Sequence, residues 1–159
     1  MSTVRERIVQ AAFVAISTDV PDGVPEPVRT RLISPSAEQL PALTVYQGRE
    51  IVDPMRDEKE GRSSRSVIVR RALDLNVEAV VAATGDGADE LADPLLAWAT
   101  SSLVGAGTMG GLVNDPADES GTVFEYEQAD FAYVRARMTL RYHYQSLRGD
   151  AEKLDESDV

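Results

Sequence analysis

The chain has no cysteine, one histidine, one tryptophan and two lysines in 159 residues. Each shortage removes a class of chemistry. Without cysteine there are no disulfides, thiolate metal sites or cysteine nucleophiles. With His143 alone, the usual histidine-based metal and triad sites close as well. No apolar run approaches the roughly 20 residues that cross a bilayer. The opening MSTVRERIVQAAF carries its charges inside an amphipathic pattern and has no small-residue cleavage site, so it is not read as a secretion signal. Positive charge is also missing from one long block. Between Ala72 and Asp130 there are 12 acidic residues and no Lys or Arg.

The remaining charge is unevenly placed. Residues 1–71 hold 11 basic and 10 acidic side chains, and residues 131–159 hold five of each, so the net charge of −11 comes almost wholly from the middle block. Nucleic-acid binders show the opposite bias. Fourteen of the sixteen cations are arginine, whose planar fork suits bidentate pairing with carboxylates. An acidic block beside arginine-rich strands fits self-complementary or ring-like assembly; a genome that favours arginine codons gives the same count.

Hydrophobic periodicity orders the chain. Thr3 followed by Glu6 fits a capping box, and Val4, Ile8, Ala11, Ala12 and Ala15 predict a first helix to about Ile16. The proline-rich Asp19–Pro27 is a connector. Val28–Ile33 reads as a short strand, Ser34–Pro41 as a loop, and Ala42–Tyr46 as a second strand that Arg49–Val52 continues after a turn at Gly48. Asp53–Ser64 is a charged loop without periodicity. Arg65–Val80 returns to alternation, with Val67, Val69, Leu73, Leu75 and Val77 on one face, interrupted by Arg71. Ala88–Leu103 is a second helix with Leu91, Leu95, Trp98 and Ser102 at helical spacing. Pro94 either kinks it or marks a later start at Asp93. Gly105–Asn114 is a glycine-rich turn and Thr122–Glu127 a strand.

The last strand, Phe131–Gln145, has the clearest pattern. Ala132, Val134, Ala136, Met138, Leu140, Tyr142 and Tyr144 alternate with Tyr133, Arg135, Arg137, Thr139, Arg141 and His143. At about 3.3 Å per residue it would reach roughly 45 Å, which predicts a bulge or an extension toward a neighbour. The expected fold is α+β: a mainly antiparallel sheet of about five strands flanked by two helices, in the order αβββαββ. Residues 1–147 form the single domain, and the acidic, apolar-poor stretch 148–159 is read as disordered.

Candidate chemistry is sparse. Gly105, Gly107 and Gly110 spell G-x-G-x-x-G, but they close a helix instead of opening one, which favours a C-terminal turn over a dinucleotide site. Asp74, Asn76 and Glu78 share a strand face and resemble a magnesium site, yet no Lys or His lies near them in sequence. Asp86, Asp89, Glu90 and Asp93 match a calcium loop only in composition, and acids at a helix start explain them. Ser63, Ser64 and Ser66 lack a partner base and a nucleophile elbow. His143 reads as a surface residue, and Arg148-Gly149-Asp150 carries no meaning. No catalytic, cofactor-binding or metal residue is assigned. Arg135, Arg137 and Arg141 are the unusual feature. They fit a solvated face, a phosphate stripe or ion pairs, with pairing to the Ala72–Asp130 block preferred, within the chain or from a neighbour.

Several pieces together carry a resemblance: the RERIVQAAF helix, LPALTVYQGRE, the charged loop before SRSVIVRRALDLNVEAV, TMGGL, and TVFEYEQADFAYVRARMTLRYHY. The chain resembles the phage tail terminator family and its relatives among tail-completion and minor tail proteins. The resemblance implies a structural protein of the virion, made in the host cytoplasm, without enzymatic activity, cofactor or membrane contact. It implies a homo-hexameric ring on the head-proximal end of the tail, ending polymerisation of the major tail tube protein and meeting the head-completion or connector proteins. DNA would pass through its lumen without specific binding. Arg56, Lys59, Arg62, Arg65, Arg71, Arg135, Arg137 and Arg141 are then candidates for the assembly interface. The alternatives are a head–tail connector or stopper ring, a small metal-dependent nuclease using Asp74 and Glu78, and a nucleic-acid binder using the arginine strand.

Overall fold

Apolar side chains from two helices and the alternate residues of three strands meet in one core, and that core sits on a single face of the sheet. The computed structural model describes residues 3–54, 68–83, 87–128, 131–147 and 150–154. Val4–Ser17 is α1. Its first turn is held by Thr3, whose Oγ1 accepts the Glu6 N–H at 3.1 Å. Val4, Ile8, Val9, Ala12 and Ile16 are its buried stripe. Thr18 closes the other end by donating its hydroxyl to the Val14 carbonyl at 2.7 Å.

Four long strands form an open antiparallel sheet: Ala42–Pro54 (β1), Ile68–Ala82 (β2), Asp118–Gln128 (β3) and Ala132–Leu147 (β4). Their spatial order is β1-β2-β4-β3. The second helix, Ala88–Gly105 (α2), lies between β2 and β3 in sequence and packs on β2 and β4. The architecture is therefore α+β with an antiparallel sheet and two helices. Val28–Ile33, expected to be a strand, is not one. Only Val28 bridges to Thr44 of β1, and the residues after it leave the sheet edge. The turn at Gly48 is instead a one-residue bulge between Gln47 and Glu50, so β1 is continuous.

The long β4 keeps an unbroken register against β2 from Ile68↔Leu147 to Ala82↔Tyr133. Its irregularities lie on the other side, between Glu119 and Gly121 of β3. A short strand, Asp150–Leu154 (β5), pairs with the end of β4 inside the stretch read as disordered. Helix α2 starts at Ala88 behind Gly87, which takes a left-handed φ of 103°, and Pro94 lies inside it. Its buried face is Ala92, Leu95, Leu96, Ala99 and Leu103. Leu91, expected in that stripe, is exposed, because the helix sits rotated toward Leu96 and Leu103. No described helix is long and apolar enough to cross a membrane.

Candidate functional site

The face of the sheet opposite the helices is polar, and it collects the three arginines of β4. The antiparallel register sets Asp74 against Arg141, Asn76 against Thr139, and Glu78 against Arg137. Side chains on one face at these positions lie within reach of each other, and they pair. Arg141 grips Asp74 with two contacts, Nε at 2.8 Å and Nη2 at 3.2 Å. Thr139 donates its hydroxyl to Asn76 Oδ1 at 2.9 Å. Arg135 Nη1 donates to Glu78 Oε2 at 2.6 Å.

Glu78 is the centre of this network. It is fully buried, yet Arg31 stands 3.4 Å and Arg137 3.8 Å from its other oxygen, and Tyr46 donates a hydroxyl to the same atom. Burial first, and then Glu78, push the Tyr46 phenol up to about 12. Burial opposes the charge of Arg135, but Glu78 and Glu127 more than offset it and leave its pKa above the ordinary value. Arg137 is raised by the Tyr46 hydroxyl and by Glu125 and Glu78, and Arg141 by Asp74. The Arg135 Nη2 atom donates to the Leu32 carbonyl at 2.7 Å, so the segment after Val28 is drawn over the sheet.

A second charged cluster lies on the helix side. Glu50 accepts from Arg71 at 2.8 Å, from Arg5 at 3.3 Å and from the Tyr144 hydroxyl at 2.6 Å. The Arg71 Nε also donates to Ser146 Oγ at 2.8 Å. The bulge produces this arrangement. The extra residue at Gly48–Arg49 shifts β1 by one position, so Glu50 faces Leu73 on the core side while Ile51 turns outward.

The sequence candidates therefore divide. Arg71, Arg135, Arg137 and Arg141 all hold partners in their own chain. Three of those partners, Asp74, Glu78 and Glu125, come from the acidic block, and Glu50 comes from before it. Arg56, Lys59, Arg62 and Arg65 lie outside the described residues, as do Ser63, Ser64, Ser66 and Asp86. Gly105, Gly107 and Gly110 fall at the end of α2 and in the turns after it, where Gly107 and Gly110 take positive φ. His143 lies 3.5 Å from Asp118, near the surface. Among the described residues no three or more His, Asp or Glu side chains are placed to share a metal ion.

What the polar face leaves open is its border. β3 is an edge strand exposed along nearly its whole length, with Val123, Phe124 and Tyr126 in solvent. A groove of about 320 Å³ separates it from α2, lined in part by Leu96, Thr100, Thr122 and Met138. A second, apolar hollow of about 260 Å³ lies at the far end of β2, between Pro41, Val81 and Leu95. No family model matches this sequence, and no match is found among curated proteins.

Proposed function

We propose that this chain is a structural subunit of a phage tail, without catalytic activity. Copies associate into a ring, six by the family resemblance, on the head-proximal end of the tail tube. The ring stops tube polymerisation and offers the joining surface to head-completion proteins, while DNA passes through its lumen.

The observation that carries an assembly role is the open sheet, whose β3 edge has no strand partner beyond β4 among the described residues. An edge strand with unpaired backbone groups and exposed apolar side chains is a pairing template, and isolated proteins blunt such edges with charge, proline or a covering segment. Here Tyr126 is 70% exposed and Phe124 40%. A partner that covers them removes both the apolar surface and the open ladder. The tail assignment itself rests on the sequence resemblance.

The charge distribution supports the same reading. The β4 arginines are neutralised within the chain, which leaves no cationic stripe there to hold phosphates, and a net charge of −11 repels a DNA backbone sliding past. The nuclease alternative loses its carboxylates. Asp74 is gripped by Arg141 and Glu78 by Arg135, and a divalent cation would have to displace both guanidinium groups.

The test is negative-stain electron microscopy of particles produced without the gene. Overlong tubes unattached to heads are the expected result. Normal-length tails beside heads that leak DNA would reassign the protein to a connector or stopper ring. Intact infectious particles would remove it from the assembly pathway.

A further inference from the structure

The charges on the polar face form stripes that alternate strand by strand. The β1 border carries Arg31 and Arg49. β2 carries Asp74 and Glu78, and β4 carries Arg135, Arg137 and Arg141. β3 closes the series with Glu125 and Glu127, joined at its other end by Asp118. Apart from Arg70 at the start of β2, the order across the sheet is thus basic, acidic, basic, acidic. Strand direction alternates in step, since every pairing within the sheet is antiparallel. Among the described residues the acidic stripe at β3 has arginines on its inner side only.

We propose that β3 of one copy pairs, edge to edge and antiparallel, with the open half of β1 of a second copy. The neighbour's β1 continues both alternations, placing a basic border beside an acidic one and an upward strand beside a downward one. Val28 occupies the first half of the β1 edge, bonding to the Leu43 carbonyl and the Val45 N–H. From Tyr46 to Pro54 that edge has no strand partner among the described residues.

The apolar side chains match as well. On the polar face the β3 border exposes Val123 and the β1 border exposes Ile51; on the helix face they expose Phe124 with Tyr126, and Val52. In the antiparallel register that sets the neighbour's Ile51 opposite Val123, the neighbour's Arg49 falls opposite Glu125. Arg49 is 72% exposed and its ion pair with Asp74 is long, at 4.0 Å, so it can turn to that contact. Pairing β3 with β3 of a second copy would instead set two acidic borders side by side, which like-charge repulsion opposes. Joining two different edges is head to tail, and head-to-tail contacts close into rings or run on as filaments. Closure into a ring rests on the tail-tube reading above; the pairing does not.

A chain without cysteine makes the test direct. Ile51→Cys and Val123→Cys, at two exposed positions, are prepared as separate proteins and as a double variant of the full chain. Under mild oxidation, a mixture of the two single variants should give a disulfide-linked dimer containing one of each. The double variant should give a ladder of multimers. Adding Arg49→Glu or Glu125→Arg alone to the double variant should abolish the ladder, and adding both should restore it. Val123→Cys that crosslinks to itself as readily as to Ile51→Cys would overturn the head-to-tail arrangement. No crosslink at high protein concentration, with circular dichroism unchanged, would overturn the pairing. A full ladder from a protein whose loss leaves tube length normal would keep the pairing and overturn the tail reading. Overlong tubes without any ladder would do the reverse.

Discussion

Arg135 Nη1 lies 2.6 Å from Glu78 Oε2, with the two side chains 2% and 0% exposed, and the same guanidinium reaches the Leu32 carbonyl at 2.7 Å. One side chain thus joins β4 to β2 and pulls the segment after Val28 across the polar face. That contact explains why Val28–Ile33 does not form a strand. At Leu32 the carbonyl serves the arginine and not a ladder.

Removing either partner leaves the other charged and buried. Arg135→Ala and Glu78→Ala should each destabilise the protein by roughly 3–5 kcal/mol, the usual cost of breaking a buried pair. The double change Arg135→Met with Glu78→Leu should cost much less than the two single losses combined, since the charges that lose a partner, Arg31, Arg137 and Glu127, all reach solvent. Urea denaturation of the four proteins measures the coupling. Simple additivity would show that the two groups act independently.

Much of this was legible before the structure. The two-residue spacing of Asp74, Asn76 and Glu78 mirrors that of Arg137, Thr139 and Arg141, so antiparallel pairing of the two strands brings opposite charges together. The helix α1 and the alternation of β4 were equally plain, because a cap and a strict period are local signals. Glu50 was not. In an unbroken β1 it would face the polar side and Ile51 the core, and only the bulge at Gly48–Arg49 reverses them. A one-residue bulge has no periodic signature. Leu91 misled for a related reason, since helical spacing defines a stripe but the sheet beneath decides which stripe is buried.

The bulge depends on a residue without a side chain. A Cβ on Gly48 would lie 2.8 Å from Asn76 Nδ2 and 3.0 Å from the Asp74 carbonyl oxygen. The amide can rotate away, but the backbone oxygen cannot. Gly48→Ala should therefore cost about 1–3 kcal/mol. Gly105→Ala, which meets nothing within 4 Å, is the control and should be close to neutral. Equal melting temperatures for the two variants would show that β1 accommodates the methyl group.

Thr3 makes a smaller, local prediction. Its Oγ1 accepts the Glu6 N–H at 3.1 Å, one of the four amides that a helix start leaves without a partner. Thr3→Ala should cost about 1 kcal/mol. In a chain of this size that is about 2–4 °C in melting temperature. Thr3→Ser retains the acceptor and should recover most of the loss. Identical melting curves for all three proteins would show that the cap does not contribute.

Stability should fall at alkaline pH, and Tyr46 should account for part of that fall. Burial and the Glu78 carboxylate hold its phenol neutral, with a folded pKa of about 12 against an ordinary 10.0. Burial raises Tyr142 in the same direction, as do burial and Glu50 for Tyr144. A folded pKa above the unfolded one gives stability that is present in full below the unfolded value. It is lost as pH rises through the window up to the folded value. For Tyr46 the window runs from pH 10.0 to about 12. Tyr46→Phe removes the hydroxyl, so it should be less stable than the parent at neutral pH. Above the unfolded tyrosine value, where the parent loses this contribution, the difference should narrow. Urea denaturation across the alkaline range, with tyrosinate absorbance followed alongside, measures both. A gap between the two proteins that stays constant with pH would show that burial and Glu78 do not hold the Tyr46 phenol neutral.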